Sequence, residues 1–170
     1  MNAQERRQAI LNALEGTDRP LSATALAGRF GVSRQIVVGD VALLRASGAP
    51  VLSTPRGYLL GREGSGLLRA VVCRHAAGDM ERELNIMVDN GCTVVDVAVE
   101  HPVYGQLAGQ LALSSRYDVA EFIRKVARSD AKPLSVLTEG VHLHTLRCPD
   151  EAAFRRVRTQ LDEAGFLVKE

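Results

Sequence analysis

The chain has no tryptophan, and aromatic residues make up only 4% of its 170 residues, so any core must be aliphatic. Cysteine is scarce too: Cys73, Cys92 and Cys148 are widely spaced and odd in number, which is not the pattern of a disulfide framework. The N-terminus, Met1-Asn2-Ala3-Gln4-Glu5-Arg6-Arg7, lacks the apolar segment of an export signal. Buried reduced thiols in a cytosolic protein are the expectation. No apolar run reaches the length of a membrane-spanning helix. Net charge is nearly absent as well, at +1, and by itself says nothing about partners. Histidine is missing from the whole first part, because all four histidines fall between positions 75 and 144.

Hydrophobic residues make up 46%, enough to build a core in one ordinary domain or two small ones. The charge is unevenly spread. Residues 1–62 hold eight arginines against four carboxylates, a net of +4, while residues 63–170 hold thirteen cations against sixteen carboxylates, a net of −3. Between them lies Gly61-Arg62-Glu63-Gly64-Ser65-Gly66, a composition that favours a flexible link. The expected organisation is a domain over 1–60, a linker over 61–66 and a second domain over 67–170.

In the first part, Asn2 followed by Glu5 predicts a capping box, with Ile10, Leu11 and Leu14 as the stripe of the first helix. Ser22 caps a short second helix with Leu26 and Phe30 inward, Gly31 makes a turn, and Ser33 caps a third helix from about Arg34 to Ala46. The stripe of that third helix is Val37, Val41 and Leu44. This is a helix-turn-helix. Its third helix offers Ser33, Arg34, Gln35 and Val38, and Arg and Gln suit bidentate hydrogen bonds to guanine and adenine edges. Val51-Leu52-Ser53 and Tyr58-Leu59-Leu60 flank Thr54-Pro55-Arg56-Gly57, which predicts a hairpin wing with Arg56 at its tip, aimed at a phosphate or the minor groove. Gly31-Val32-Ser33-Arg34-Gln35 with Asp40-Val41-Ala42-Leu43-Leu44-Arg45 resembles the winged helix-turn-helix of bacterial repressors over residues 1–60.

In the second part, Leu67–Cys73 reads as a buried strand. Asp79 is placed to cap a helix reaching about Asn90, with Met80, Leu84, Met87 and Val88 inward and Glu83 on that same face. A carboxylate on an apolar stripe is costly to bury unless paired or ligated. Thr93–Glu100 forms a strand with Val95, Val97 and Val99 on one face and His101 continuing that parity. A hairpin partner from Gln106 to Leu113 follows, then a helix boxed by Ser115 and Asp118 with Val119, Phe122, Ile123 and Val126 on one side. Next come a strand carrying His142 and His144, a helix capped by Asp150 with Phe154, Val157 and Leu161 inward, and a short last strand at Phe166-Leu167-Val168. The predicted fold is an α+β sandwich, helices on one face of a mainly antiparallel sheet, close to a ferredoxin-like arrangement.

His142 and His144 lie one residue apart, so on a strand they share a face and aim two imidazoles at one point. Alone, the pair is also explained by a solvated strand face. His75 ends a strand of the same small sheet, and Glu83 follows on the next helix. Three imidazoles and one carboxylate suit a borderline divalent ion such as Zn, Ni, Co or Fe, and not Ca or Mg. Cys73 and Cys148 stand near these residues in sequence, which leaves a mixed Cys/His site open.

The winged motif, His75 with Glu83, His101-Pro102-Val103-Tyr104-Gly105 and His142-Leu143-His144 together resemble the niacin-responsive (NiaR) repressor family, whose regulatory half is called the three-histidine (3H) domain. The resemblance covers nearly the whole chain. It implies a cytoplasmic, homodimeric transcriptional repressor of NAD-precursor synthesis or niacin uptake genes, with double-stranded operator DNA as partner and nicotinic acid as co-repressor. It implies a divalent metal, nickel or zinc foremost, held by the residues matching His75, Glu83, His142 and His144. His101 and Tyr104, just after a strand end, are placed to hydrogen-bond the other end of the effector; a turn-stabilising role beside Pro102 is the alternative for His101. Two further readings stay open. The metal alone is the signal in one. In the other the site activates water as an enzyme, although no additional carboxylate or nucleophile stands near as a general base.

Overall fold

The computed structural model describes residues 1–61 and 66–169. The chain divides into two compact units, Met1–Glu63 and Gly64–Glu170. The linker expected over 61–66 lies, from 62 to 65, outside the described residues.

The first unit is built on three capped helices. Helix α1 (Ala3–Glu15) starts at the reciprocal box, in which the Glu5 N–H donates to Asn2 Oδ1 at 2.9 Å and the Asn2 N–H to Glu5 Oε2 at 2.8 Å. Helix α2 (Ala23–Phe30) is capped by Ser22 and closed by Gly31 in the left-handed region, and α3 (Arg34–Ala46) is capped by Ser33. Ile10, Leu14, Leu26, Val37 and Val41 meet in an aliphatic core. Two polar ties hold α3 in place. Asp40, buried on α3, receives Arg6 Nε at 2.6 Å and has Arg7 at 3.6 Å. Arg45 Nε donates to the Val51 carbonyl at 2.8 Å, and its guanidinium also reaches Ser53 Oγ. Three of the eight arginines are therefore engaged in fixing α3.

Strands β1 (Val51–Thr54) and β2 (Gly57–Leu60) form the wing, pairing antiparallel with Thr54 opposite Gly57. A third segment clips on: the Leu21 N–H donates to the Tyr58 carbonyl at 3.0 Å and the Tyr58 N–H to the Leu21 carbonyl at 2.8 Å. The chains approach so closely that a Cβ at Gly57, whose φ is 137°, would stand 2.5 Å from the Leu21 carbonyl carbon and oxygen. A Gly57→Ala variant is expected to lose about 2–3 kcal/mol from strain and overlap, read as a lowered denaturation midpoint of the first unit. An unchanged midpoint would disprove the close approach.

The second unit runs β3 (Leu67–Arg74), a 3-10 turn at Ala77–Asp79, α4 (Met80–Asp89), β4 (Thr93–His101), β5 (Gly105–Leu113), α5 (Arg116–Arg128), a 3-10 turn at Leu134–Thr138, β6 (Val141–Cys148) and α6 (Glu151–Glu163). The strands form one antiparallel sheet in the order β3-β6-β4-β5. The core joins Val71, Cys73, Val94, Leu113 and Leu146 of the sheet to Leu84 and Met87 of α4, Val119 of α5, and Phe154, Val157 and Leu161 of α6. This is the layered α+β arrangement the pattern predicts. In a ferredoxin-like order the hairpin partner separates the first two strands; here β6 stands between β3 and β4. That central seat is what buries His142 and His144.

Several local expectations are corrected. Strand β3 is not buried on both faces: it lies at the sheet edge, and Leu68, Ala70, Val72 and Arg74 are exposed. Asp79 makes no capping hydrogen bond, because the 3-10 turn enters α4 directly. The register of β4 shifts between Val94 and Asp96 against both neighbours, and Ala112 on β5 takes φ 53° there. The bulge moves Val95 off the face of Val97 and Val99 and puts Val94, opposite Leu146, on it. The last predicted strand is a single bridge, Leu167 with Cys73.

Candidate metal centre and nucleic-acid interface

Four side chains from three elements converge under α4. Cys73 pairs with His142 and Val71 with His144 across β3 and β6, so both histidines point to the helix-covered face. His75 sits just beyond the end of β3. Glu83, in the first turn of α4, comes down from above and is 1% exposed. A helix N-terminus favours such a carboxylate.

Glu83 Oε2 lies 2.5 Å from His75 Nε2, and Glu83 Oε1 lies 2.7 Å from His142 Nε2 and 3.3 Å from His144 Nε2. Ligand atoms of His75, Glu83 and His142 all fall within 4.8 Å of one another. The rings stand edge to face, 4.8 Å between His75 and His142 and 4.9 Å between His142 and His144. Phe166 closes the other side of His75 at 5.3 Å.

The far side of each ring settles its proton. His75 Nδ1 is 2.7 Å from the Ala76 carbonyl, His142 Nδ1 2.8 Å from the Gly140 carbonyl, and His144 Nδ1 2.8 Å from the Asp96 carbonyl. A carbonyl only accepts, so each Nδ1 carries the hydrogen. In the neutral rings all three Nε2 lone pairs then face one carboxylate. Lone pairs facing a carboxylate repel unless a cation, a proton or a metal ion, lies between them. This is the tautomer that backbone carbonyls impose on metal-ligating histidines. The residues present therefore fit a divalent ion. Burial alone would raise the Glu83 carboxyl; with a second proton on Nε2, His142, His144 and His75 donate hydrogen bonds that outweigh it and hold the group well below the usual carboxylate range.

Cysteine contributes no obvious ligand. The converging ligand atoms among the described residues are those of His75, Glu83 and His142, without a cysteine sulfur; burial, reinforced by the neighbouring Glu83 charge, pushes the Cys73 thiol up. Cys148 ends β6 on the same buried face but four residues beyond His144, with its sulfur 3.2 Å from that of Cys92. Burial first, then Cys148, pushes the Cys92 thiol up to about 12.

The structure does not bring His101 and Tyr104 into this cluster. His101 ends β4; that strand runs antiparallel to β6 with Val97 opposite His144, so His101 lies past the His142 end of the cluster, and the contacts of its ring are with the turn. Its Nδ1 accepts from the backbone N–H groups of Val103 at 3.1 Å and Tyr104 at 3.2 Å, and its ring lies 4.9 Å from that of Tyr104. This is the turn-stabilising role. Tyr104 is 74% exposed.

Asp96, on the parity opposite His101, serves the site through its backbone and a strand contact. Its carbonyl orients His144, while its carboxylate receives the Thr145 N–H at 3.1 Å, a bond the neighbouring strand would ordinarily answer with backbone. The signal was available as a lone aspartate in the run Val94-Val95-Asp96-Val97.

In the first unit, Ser33, Arg34 and Gln35 are exposed at the start of α3, and the Ser33 hydroxyl is engaged as the cap, accepting the Ile36 N–H at 3.3 Å. Arg56 sits in the turn of the wing. Val38 turns back and packs on the domain core, so it is not an outward residue. The outward face of α3 continues instead through Ile36, Gly39, Ala42 and Leu43, with Leu43 56% exposed.

Comparison with known proteins gives one consistent answer. The family model of the 3H domain matches residues 68–170, and that of an HTH domain matches residues 6–59. A Thermotoga maritima protein named "Probable transcription repressor NiaR" is 42% identical over 167 residues, spanning 98% of this chain and 95% of that one. A Bacillus subtilis protein named "Transcription repressor NadR" is 40% identical over 169 residues, spanning 97% and 94%. No helix among the described residues is long and apolar enough to cross a membrane.

Proposed function

Because the chain belongs to the family of 3H-domain transcription repressors that includes NiaR and NadR, a regulatory family and not an enzymatic one, we propose that it is a cytoplasmic, homodimeric repressor answering to nicotinic acid through a divalent metal. The observation that carries this reading is the set of three Nδ1–H groups fixed on backbone carbonyls, which turns three Nε2 atoms and the Glu83 carboxylate onto one point.

His75, Glu83, His142 and His144 would hold the ion, nickel or zinc by the chemistry of the donors. When bound, the ion supplies a Lewis-acid position that a ring nitrogen or carboxylate oxygen can take. The chain's own residues do the rest. Ala76, Gly140 and Asp96 lock the imidazole tautomers, and α4 with Phe166 excludes water. In the first unit, α3 enters the major groove with Arg34 and Gln35 reading base edges, phosphate contacts supply most of the affinity, and Arg56 of the wing reaches the backbone or minor groove. Gly39 and Ala42 let the helix backbone come close, and Ile36 and Leu43 offer methyl contacts to thymine. Two copies read an inverted repeat whose half-sites lie one helical turn or a multiple apart. Nicotinic acid promotes repression by binding the DNA-competent state more tightly than the other.

The placement of His101 and Tyr104 favours a second reading, in which metal alone is the signal, since neither shares a contact with the cluster among the described residues. One titration decides. Operator affinity is measured on chelator-treated protein, after metal is restored, and after metal plus nicotinic acid. The proposal expects the last state to bind tightest, by at least about fivefold, the low end of ordinary coupling. Full affinity with metal alone establishes the second reading.

A further inference from the structure

The face of the sheet turned away from the helices carries an apolar row that no part of the mechanism uses. Register places Val72 of β3 opposite Leu143 of β6, Leu143 opposite Ala98 of β4, and Ala98 opposite Ala108 of β5. All four strands thus contribute one small or aliphatic residue to a single transverse row. Leu68 and Ala70 extend it along β3 and Val141 along β6. Leu68 is 53% exposed and Val72 and Val141 are each 37% exposed, on strands whose other faces are sealed in the core. Charge at the rim is ordered. Arg74 pairs with Val141 on β3 and β6. The β4–β6 pairing is recorded as far as Ala98–Leu143; continued by two residues, its register sets Glu100 of β4 on the other side of Val141. An exposed cation and an exposed carboxylate therefore flank β6 at one level, equally spaced.

We propose that this face is where two copies of the chain pair, about a twofold axis lying along β6. The inference rests on the homodimer reading above and assigns its surface. A twofold along β6 lays β3 of one copy over β4 of the other at unchanged level. Arg74 then meets the second copy's Glu100, and Glu100 meets its Arg74. Val72 lies over the position of Ala98, itself only 3% exposed, while Leu143 lies over Leu143 and Val141 over Val141. The face is its own complement, as an isologous interface requires, and the two sheets stack near-aligned as in a sandwich. Four strands about 4.8 Å apart and eight residues at about 3.3 Å each give a face of roughly 19 by 26 Å. The twofold along β6 sets three of the four strands face to face, so about 14 by 26 Å of each copy is covered, roughly 750 Å² in all, the size of a weak or transient interface.

The test is sedimentation equilibrium of the full metal-loaded chain, free and on an operator half-site duplex. The wild type should run at twice the 18.4 kDa of one chain. Arg74→Glu and Glu100→Arg should each weaken self-association about tenfold, because each breaks two pairs and creates like-charge contacts. The double variant R74E/E100R should return to within about threefold of wild type, which pairwise coupling alone restores. Val141→Glu sets two carboxylates on the axis and should give monomers with no rescue. Metal uptake and the melting curve of each variant report that the fold is intact. If these variants remain dimers as firmly as wild type, this face is not the interface and the homodimer reading stands. If the single changes weaken the dimer but the double change does not restore it, the twofold along β6 is wrong. A wild type monomeric both free and on the duplex removes the homodimer reading itself, and this proposal with it.

Discussion

Replacing Glu83 with glutamine should weaken nickel or zinc binding by more than about a hundredfold while the second unit stays folded. Groups that merely orient metal ligands already change affinity 10–100-fold, and among the described residues Glu83 is the anionic group that faces all three imidazoles. Glutamine has the same shape, its amide N–H can donate to a histidine Nε2, and no buried charge is left unpaired. Alanine at the same position behaves differently. It leaves three inward-facing imidazoles, each pinned at Nδ1, around a hole, and breaking a buried pair from one side costs about 3–5 kcal/mol. Calorimetric metal titration separates the first effect and urea denaturation the second. Undiminished metal affinity in Glu83→Gln would remove the site. The same loss of stability in both variants would show that the carboxylate serves stability through its charge and not through its packing.

Arginine 34 is the second large effect. An Arg34→Ala change is expected to cost about 1–3 kcal/mol in operator affinity and to relax sequence preference at one base position. Arg34 lies at the first residue of α3, exposed, and without an ion pair among the described residues, whereas Arg6 and Arg7 face Asp40 and Arg45 holds the wing. Anisotropy titrations at several salt concentrations give the discriminating readout. A base contact lowers affinity with the salt slope unchanged; a phosphate contact lowers the slope by about one as well. Normal operator binding by Arg34→Ala would mean that α3 is not the reading helix. Metal content should not move.

The candidate site was readable in outline because two periodicities survived folding. Strand β6 is regular from Val141 to Cys148, so His142 and His144 keep their common face. Helix α4 is regular over the stretch that puts Glu83 beside Met87. What was not readable lies where the backbone departs from a repeat or acts without a side chain. In the run Val94 to Val99 every residue but Asp96 is apolar, and Val94 and Val95 are the same residue type, so their letters do not show the bulge that substitutes one for the other. The carbonyls of Ala76, Gly140 and Asp96, which fix the three tautomers, belong to every residue type alike. Strand order is a long-range property; β6 is inserted between β3 and β4 by pairing over some seventy residues of chain, and no local pattern records it. Val38 was misplaced for a smaller reason. It sits at the border of the buried stripe of α3, where a turn of a few tens of degrees decides between groove and core.

The clip between Leu21 and Tyr58 bears on the thermodynamics of operator binding. The wing hairpin is hydrogen-bonded to the segment that leads into the Ser22 cap of α2, and Arg45 ties its other strand to α3. A wing held on both sides enters the complex already ordered, so binding pays little entropy for it. The heat-capacity change on binding should then match the apolar surface buried at the DNA, without the additional negative contribution of a segment that folds on contact. Calorimetry at several temperatures would show this, and Gly57→Ala, by loosening the clip, should make that heat-capacity change more negative.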